Sequence, residues 1–564
     1  MAKLYKSFLI CALVFISTNL FSQVELVPVS NKVYSFLDRM NTNKVIEGFS
    51  ESMLPVSRRE VGSFLTHANS KRNKLTASDK KILDEYLVEF EFDTYGTLKN
   101  SSNFFSKKSI GELFHNKKQK YLYSSVDSNS SFFIDAIGDV RYIGGNGDSL
   151  GKPHVLLGQF GLRFRGTLFK SLGYYLRLSN GVRLGGNEKD AMFAASVDPI
   201  LGSTKKFKID GSKNFDTFEG YLRYSTSSDW LSVTAGREAL RMGNGFIDKI
   251  FISNNNSAPF DFIKADIHYK KLRYTFLHSS IVGNDSSGNQ LESKYFVFHR
   301  LEAGPFFNNT VKFGFTEMLV YSNVPINFAL LNPLSFITSA DLNSETPNKN
   351  SNNTIIGLDF QLYPARKISV QGTLLIDDLN FETLGSDSTK GNDNKFGYQM
   401  GLMWQDAFTL PNLSFAYEFT RLDPFVYSHK KINNSVAHWD LPLGHGLNPN
   451  SDEHAFKLAF DFGSRVSAGI TFKLQRSGEN YSDSLGNFKN VGSNILIGSG
   501  DFVTQNVFLN GLRVDRTIII AELVLQPIKQ YYLFLKYQYR NQNYVASSKK
   551  VSDSILFGGL RIDY

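Results

Sequence analysis

From about residue 131 to the C-terminus, apolar side chains recur at every second position. Phe132, Ile134, Ala136, Val140 and Tyr142 alternate with Asp135, Asp139 and Arg141. Ile356, Leu358, Phe360 and Leu362 alternate with Asp359 and Gln361. The same period runs through 368–377, 396–404, 413–420, 456–462, 466–474 and 533–540. A strand with one apolar and one polar face suits a wall between lipid and a wet interior. The last segment, Leu556 to Tyr564, repeats it: Leu560, Ile562 and Tyr564 share one face, Arg561 and Asp563 the other. A soluble sandwich alternates too, but seldom for so long. Roughly 430 residues, at about 24 per strand and connection, give on the order of 18 strands.

Composition agrees. Phe and Tyr are abundant (49 and 26) while Trp is scarce (3). The mean hydropathy of −0.22 is too polar for a bundle of membrane helices and suits a barrel. No stretch beyond the N-terminus approaches the length of an apolar spanning helix.

The first residues read as a secretory signal. Lys3 and Lys6 precede the apolar run Phe8 to Phe15, and Leu20-Phe21-Ser22 predicts cleavage after Ser22. Cys11, the sole cysteine, lies inside this leader behind Ile10, so neither a lipid anchor nor thiolate or disulfide chemistry is expected of the mature chain. The formal charge of +9 is scattered, which excludes nucleic acid and leaves acidic polysaccharide or lipopolysaccharide as partners that the field would favour. Ordinary solvated surface charge explains it equally well.

Residues 23–92 change period. Val33, Phe36, Leu37 and Met40 mark one helix. Ser57-Arg58-Arg59-Glu60 reads as a capping box before Val61, Phe64, Leu65 and Ala68. Thr76 and Asp79 open a third helix with Ile82, Leu83, Tyr86, Leu87 and Phe90 on its buried face. Three such helices are too few to stand alone, so they are expected to form a periplasmic bundle against the barrel. Residues 93–130 read as a transition and 131–564 as the barrel. The fold class is therefore an all-β transmembrane, antiparallel outer-membrane barrel with a small N-terminal helical bundle. Pro364-Ala365-Arg366 and Asp461 to Ser464 are expected as periplasmic turns. Stretches near 144–153, 185–215, 340–353, 380–394, 426–453 and 477–512 are expected as extracellular loops. The glycines of 144–151 do not have the spacing of a phosphate loop.

Two segments depart from ordinary barrel sequence. The first runs Ala235-Gly236-Arg237-Glu238-Ala239-Leu240-Arg241-Met242-Gly243-Asn244-Gly245, followed by Phe251 to Asn255. The second runs from Tyr417-Glu418-Phe419-Thr420-Arg421 through Tyr427-Ser428-His429 to Leu443-Gly444-His445-Gly446 and Asp452-Glu453. Both resemble the Wzi-like capsule-assembly family of outer-membrane proteins, as do Val27 to Ser30, Leu54 to Glu60 and Asn332-Pro333-Leu334. Asn448 stands where that family tends to have glycine, and Ile252 where leucine is usual. The resemblance implies an 18-stranded barrel closed by helices below and loops above. It also implies a lectin-like role, holding exported capsular polysaccharide at the cell surface, and not a transport pore.

Sugar recognition needs polar groups for hydroxyl pairs and flat aromatic faces for ring C–H edges. The candidates are Arg237, Arg241, Asn254, Asn255, Glu418, Arg421, His429, His438, Trp439, His445, Asp452 and Glu453. Each has a plainer reading. Glu418 and Arg421 suit a lumen ion pair, Arg237 and Arg241 suit partners for lumen carboxylates, and Trp439 suits a loop core. The histidine gaps fit no metal site, and no nucleophile elbow or catalytic carboxylate pair stands out, so no metal, cofactor or catalysis is expected. Expected partners are capsular or extracellular polysaccharide and outer-membrane lipid, with a surface adhesin or export machinery as further candidates. Two other functions compete: a component of surface adhesion or gliding machinery, and a diffusion porin.

Overall fold

In the computed structural model, described for residues 23–107, 109–285, 287–342, 352–379, 394–498 and 507–563, the alternating segments close into an 18-strand antiparallel barrel. The expected leader, Tyr564, most of the expected loops near 340–353 and 380–394, and residues 499–506 of the stretch 477–512 lie outside the described residues. The strands are β1 Ser131–Gly147, β2 His154–Leu168, β3 Leu172–Gly185, β4 Asn214–Ser225, β5 Leu231–Glu238, β6 Phe260–Tyr269, β7 Leu272–Ser280, β8 Lys294–Phe306 and β9 Val311–Ser322. They continue as β10 Asn353–Ala365, β11 Ile368–Asp378, β12 Lys395–Gln405, β13 Leu413–Leu422, β14 Ser451–Asp461, β15 Val466–Glu479, β16 Leu512–Ile528, β17 Tyr531–Tyr544 and β18 Lys549–Asp563. Closure runs β18 to β1, from Asp553↔Gly147 to Asp563↔Ile137. Closure leaves no sheet edge at the seam, which a wall in lipid requires.

Side chains sort as the period demands. Phe160, Leu178, Leu222, Ile263, Leu358, Leu458 and Leu560 are exposed on the outer face. Asp135, Arg165, Arg300, Asp359, Glu418 and Glu453 are buried on the inner face. Inside, charge meets charge. Arg300, fully buried, reaches both oxygens of Asp359 at 2.6 and 2.9 Å. Breaking a buried pair by deleting one partner costs about 3–5 kcal/mol.

One end of the barrel carries short turns. Phe169 and Lys170 take left-handed conformations (φ 53° and 58°), which suit the twist of tight hairpins. Helices α1 Val33–Thr42, α2 Arg58–Ser70, α3 Ala77–Glu89 and α4 Glu91–Tyr95 pack against this end. Phe36, Leu37, Met40, Phe49, Val61, Leu65, Ile82, Leu83 and Phe90 form one buried cluster. Polar ties bind it to successive turns. Arg59 donates to the carbonyls of Thr226 (3.1 Å), Ser227 (3.1 Å) and Lys170 (3.3 Å). Lys367 N–H donates to Thr42 O at 3.2 Å. Glu85 takes Arg465 at 3.0 Å and Lys529 at 3.2 Å. The box at Ser57 is only half formed: its Oγ accepts Glu60 N–H at 3.1 Å, but the Glu60 carboxylate goes to Arg273 on β7 at 2.6 Å. Thr76 and Asp79 make the complete box instead.

Between β5 and β6 the chain leaves the wall and dives into the lumen. Met242 and Arg241 pair there with Met53 and Leu54 of the helical region. The connection after β3 is also built inward, as α5 Glu188–Val197, α6 Pro199–Gly202 and α7 Lys205–Asp210. Ala191, Ala194, Leu201 and Phe207 bury against Val155, Leu157 and Phe215 of the inner wall. Among the described residues no helix is long and apolar enough to cross a membrane.

Candidate functional site

The two family-like segments meet in the middle of the barrel. The loop 239–259 turns its backbone toward β13, and the Glu418 carboxylate accepts the N–H groups of Phe246 (2.7 Å), Ile247 (3.3 Å) and Asp248 (3.0 Å). Gln371 adds its amide at 3.1 Å. One buried anion thus satisfies several donors that no helix or sheet would satisfy. Glycine is needed where the chains touch. Gly245 sits at φ 141° with the carbonyl of Asp248 where a Cβ would be, and Gly444 leaves no room for a Cβ against the carbonyl of Ile250.

Asp248 is the second hub. It accepts from Lys249 N–H (2.9 Å), Asn256 (3.0 Å), Gly446 N–H (3.2 Å), Asn255 (3.3 Å) and the Ser253 hydroxyl. Burial opposes its charge, but His445, Lys473 and the bonds from Ser253 and Asn256 hold the carboxyl at about 2. Beside it burial, reinforced by Arg241, pulls the Lys249 ammonium down to about 7. His445 accepts Leu447 N–H at Nδ1 (3.0 Å), and its Nε2 lies 3.9 Å from Glu453. Glu453 is held by Lys473 (3.0 Å) and Gln475 (2.6 Å). Arg241 lies 3.4 Å from Glu51 of the helical region. Asn254 and Asn255 line a polar cavity of about 360 Å³ between this loop and the helices. Glu418, His445 and Glu453 are buried and help hold the lumen closed, while Arg241 and Asn255 border the cavity on its helical side.

Three candidates face outward, at the rim. Arg237 stacks on Phe218 (4.4 Å) and forks onto Asp261, with one bond at 2.8 Å. Arg421 lies over the ring of Phe508 (3.7 Å) and donates to Asp423 at 2.8 and 3.0 Å. Asp452 accepts Arg476 on the same outer face. The lumen pair of Glu418 with Arg421 does not form. Three positions apart on a strand, the two side chains point to opposite faces. Arg237 meets a carboxylate as one reading held, but on the outer surface.

The remaining three lie in the lid of long loops. His438 accepts Val282 N–H at 2.9 Å and packs edge-on to Phe260. Burial lowers it to about 3, so it is neutral. His429 accepts Lys431 N–H at 3.1 Å and, half-buried beside Lys395, is lowered to about 4. Trp439 adopts φ 54° and its backbone N–H donates to Val282 O at 3.0 Å. Lys208 of α7 stands 5.7 Å from its ring and donates to Trp439 O (2.8 Å) and Asp440 (3.0 Å), while Asn284 donates to Asp440 at 3.1 Å. Three loops are so clamped around one half-buried indole, with ammonium, carboxylate and amide beside it. Lys208, Asp440, Asn284 and Asp248 escaped the sequence reading. Each is a lone polar residue in a loop, and nothing in its spacing announces its partners. Among the described residues no cluster of His, Cys, Asp or Glu has the makings of a metal site.

A family model described as capsule assembly protein Wzi matches residues 150–517, more than half the chain. Among solved structures, Escherichia coli Wzi, an outer-membrane protein involved in group 1 capsule assembly and described as a carbohydrate-binding β-barrel, superposes with a TM-score of 0.57 at 13% identity. The match covers 96% of this chain and 99% of that one. Pseudomonas aeruginosa OprD (TM-score 0.43, 9% identity, 77% of this chain and 95% of that one) and OpdK with vanillate (0.44, 10%, 76% and 99%) are also matched. No protein of curated function matches the sequence.

Proposed function

This chain belongs to the capsule assembly protein Wzi family, and on that footing we propose that it binds extracellular or capsular polysaccharide at the cell surface and holds it there. The role is binding, not catalysis or transport. The observation that carries the reading is the filled lumen. A loop tied to Glu418 and Asp248 and a helical plug tied to the turns close the barrel twice, so its working face is the lid. Trp439, with Lys208, Asp440 and Asn284, supplies an aromatic face ringed by hydroxyl- and carboxylate-seeking groups. His429 lies in the same lid. The buried candidates act by fixing the loops that present these groups. The short-turn end, with residues 23–92 packed on it, faces the periplasm in this reading, and residues 1–22 are an export signal cleaved after Ser22.

The test is retention of purified capsular polysaccharide by the immobilised full chain. Trp439→Ala should weaken it by about tenfold, roughly 1.4 kcal/mol, without changing the heat-modifiable mobility of the barrel. Retention unchanged by Trp439→Ala and Lys208→Ala together would move the site elsewhere. No retention by the unaltered chain would reject polysaccharide binding.

A further inference from the structure

The barrel wall has a gap that the polysaccharide reading does not use. Strand β4 pairs with β3 along its whole length, from Val182↔Asn214 to Leu172↔Tyr224. With β5 it pairs only from Gly220↔Arg237 to Ser225↔Ser232. After Glu238 the chain turns into the lumen and rejoins the wall at Phe260, opposite Glu238. The stretch Asn214 to Glu219 is left with a strand on one side and none on the other. Its far lip is Pro259, its floor is Arg237, and its back is the insert from Ile200 to Phe207. The space between them is about 350 Å³, within the range of small-ligand sites, about 300–1,000 Å³. At its back Leu201 and Phe207 pack against Phe215 of the wall.

This notch opens sideways, toward the membrane. Leu222, Tyr224, Val233 and Ile263 form the exposed apolar surface directly beneath it. An open sheet edge does not occur in hydrocarbon, since its N–H and C=O groups would go unsatisfied. The notch therefore stands in the polar layer of the outer leaflet. Its chemistry suits what fills that layer. Phe218 is 46% exposed with Arg237 over its face, Lys205 and Lys206 stand exposed at the entrance, and Asp216 is exposed on the edge strand. Bare backbone groups and Asp216 take hydroxyls, the ring takes sugar C–H edges, and the ammonium groups of Lys205 and Lys206 take phosphate or carboxylate, while Arg237, paired with Asp261, holds the ring in place.

We propose that this lateral notch seats the anionic saccharide headgroup of an outer-leaflet glycolipid. The lipid's own anchorage delivers the headgroup at the height of Arg237 and Phe218, and the headgroup completes the sheet edge. The inference stands apart from the polysaccharide reading, which concerns the lid.

The full chain is reconstituted into phosphatidylethanolamine vesicles with or without rough-type lipopolysaccharide. Glycolipid retained after detergent extraction is measured by mass spectrometry, and amide exchange is followed at residues 214–219. The expected result is near-stoichiometric retention and slowed exchange only in the lipopolysaccharide vesicles. A Phe218→Ser, Lys206→Glu double variant should lose about tenfold in retention while keeping its heat-modifiable mobility and its binding of free polysaccharide. Equal retention by the variant, or exchange equally slow without lipopolysaccharide, overturns the proposal. So does cross-linking of Asp216→Cys between two copies, which would give the edge to a neighbouring strand. Joint loss of glycolipid and free polysaccharide in the variant assigns the notch to the polymer and overturns it too. Retention of glycolipid by a chain that binds no polysaccharide leaves this proposal standing and removes the other.

Discussion

The barrel is closed twice, by different means. The helical plug draws its core from one continuous stretch, residues 27–90, whose buried side chains are mostly apolar and spaced by helical turns. The mid-lumen closure is assembled from afar. Leu240, Phe251, Val426, Tyr427, Leu443 and Ile495 meet there around the hubs at Glu418 and Asp248. The plug is stabilised by burying apolar area and would survive the loss of one polar tie. The re-entrant loop has no ladder of its own, so its geometry depends on a few anions that gather backbone donors. The plug is thus a folded unit set in a socket, and the closure is a shape that the wall imposes on a loop.

Four perturbations separate these two accounts. The largest effect belongs to Glu418→Ala. It strands the buried N–H groups of residues 246–248, each worth about 1–3 kcal/mol. Amide exchange should rise across 244–258 and stay unchanged in α1–α3; a uniform rise would show that the two closures are coupled. Next is Phe49→Ala in the plug. Phe49 is buried against Tyr34 and Phe64 (5.6 Å between centroids), so its loss should cost about 3–5 kcal/mol. Proteolysis within residues 23–95 should accelerate while the loop 239–259 stays protected. Thr76→Ala removes one side of the capping box of α3 and should cost about 1 kcal/mol, read as faster exchange in the first turn of α3 alone. The fourth effect is on the lid and appears only in acid. His438 is held neutral down to about 3, whereas the free side chain takes a proton near 6.5. Below about 6.5 the opened loop binds a proton that the closed loop refuses, so lid stability falls steadily as pH drops toward about 3 and is unaffected above about 7. Amide exchange at residues 437–442 should accelerate over that window in the parent chain and not in His438→Phe.

The two closures also differ in how far the sequence discloses them. The wall is legible because lipid demands an apolar residue at every second position, and no partner need be known to see it. Helices α1 to α3 are legible because their cores repeat at 3, 4 and 7. The inner face is not, since a lumen tolerates any set of charges that balances in space. The outward fork of Arg237 with Asp261 and of Arg421 with Asp423 could have been read from parity alone, because strand position fixes the face. The inward dive after Glu238 could not. Gly243 and Gly245 mark a break in the strand, but the Glu418 carboxylate that gathers the loop's N–H groups stands about 170 residues further along the chain. The Trp439 cluster was half seen: its aromatic stood out by type, while Lys208, Asp440 and Asn284 join it only through the packing of three loops.

The claim that this barrel tethers polysaccharide is tested most directly by deleting the gene and measuring cell-bound against shed polysaccharide in the same culture. The account predicts that synthesis continues and that polymer moves from the cells into the medium, with restoration by the parent chain and not by Trp439→Ala. Retention unchanged in the deletion strain would contradict it.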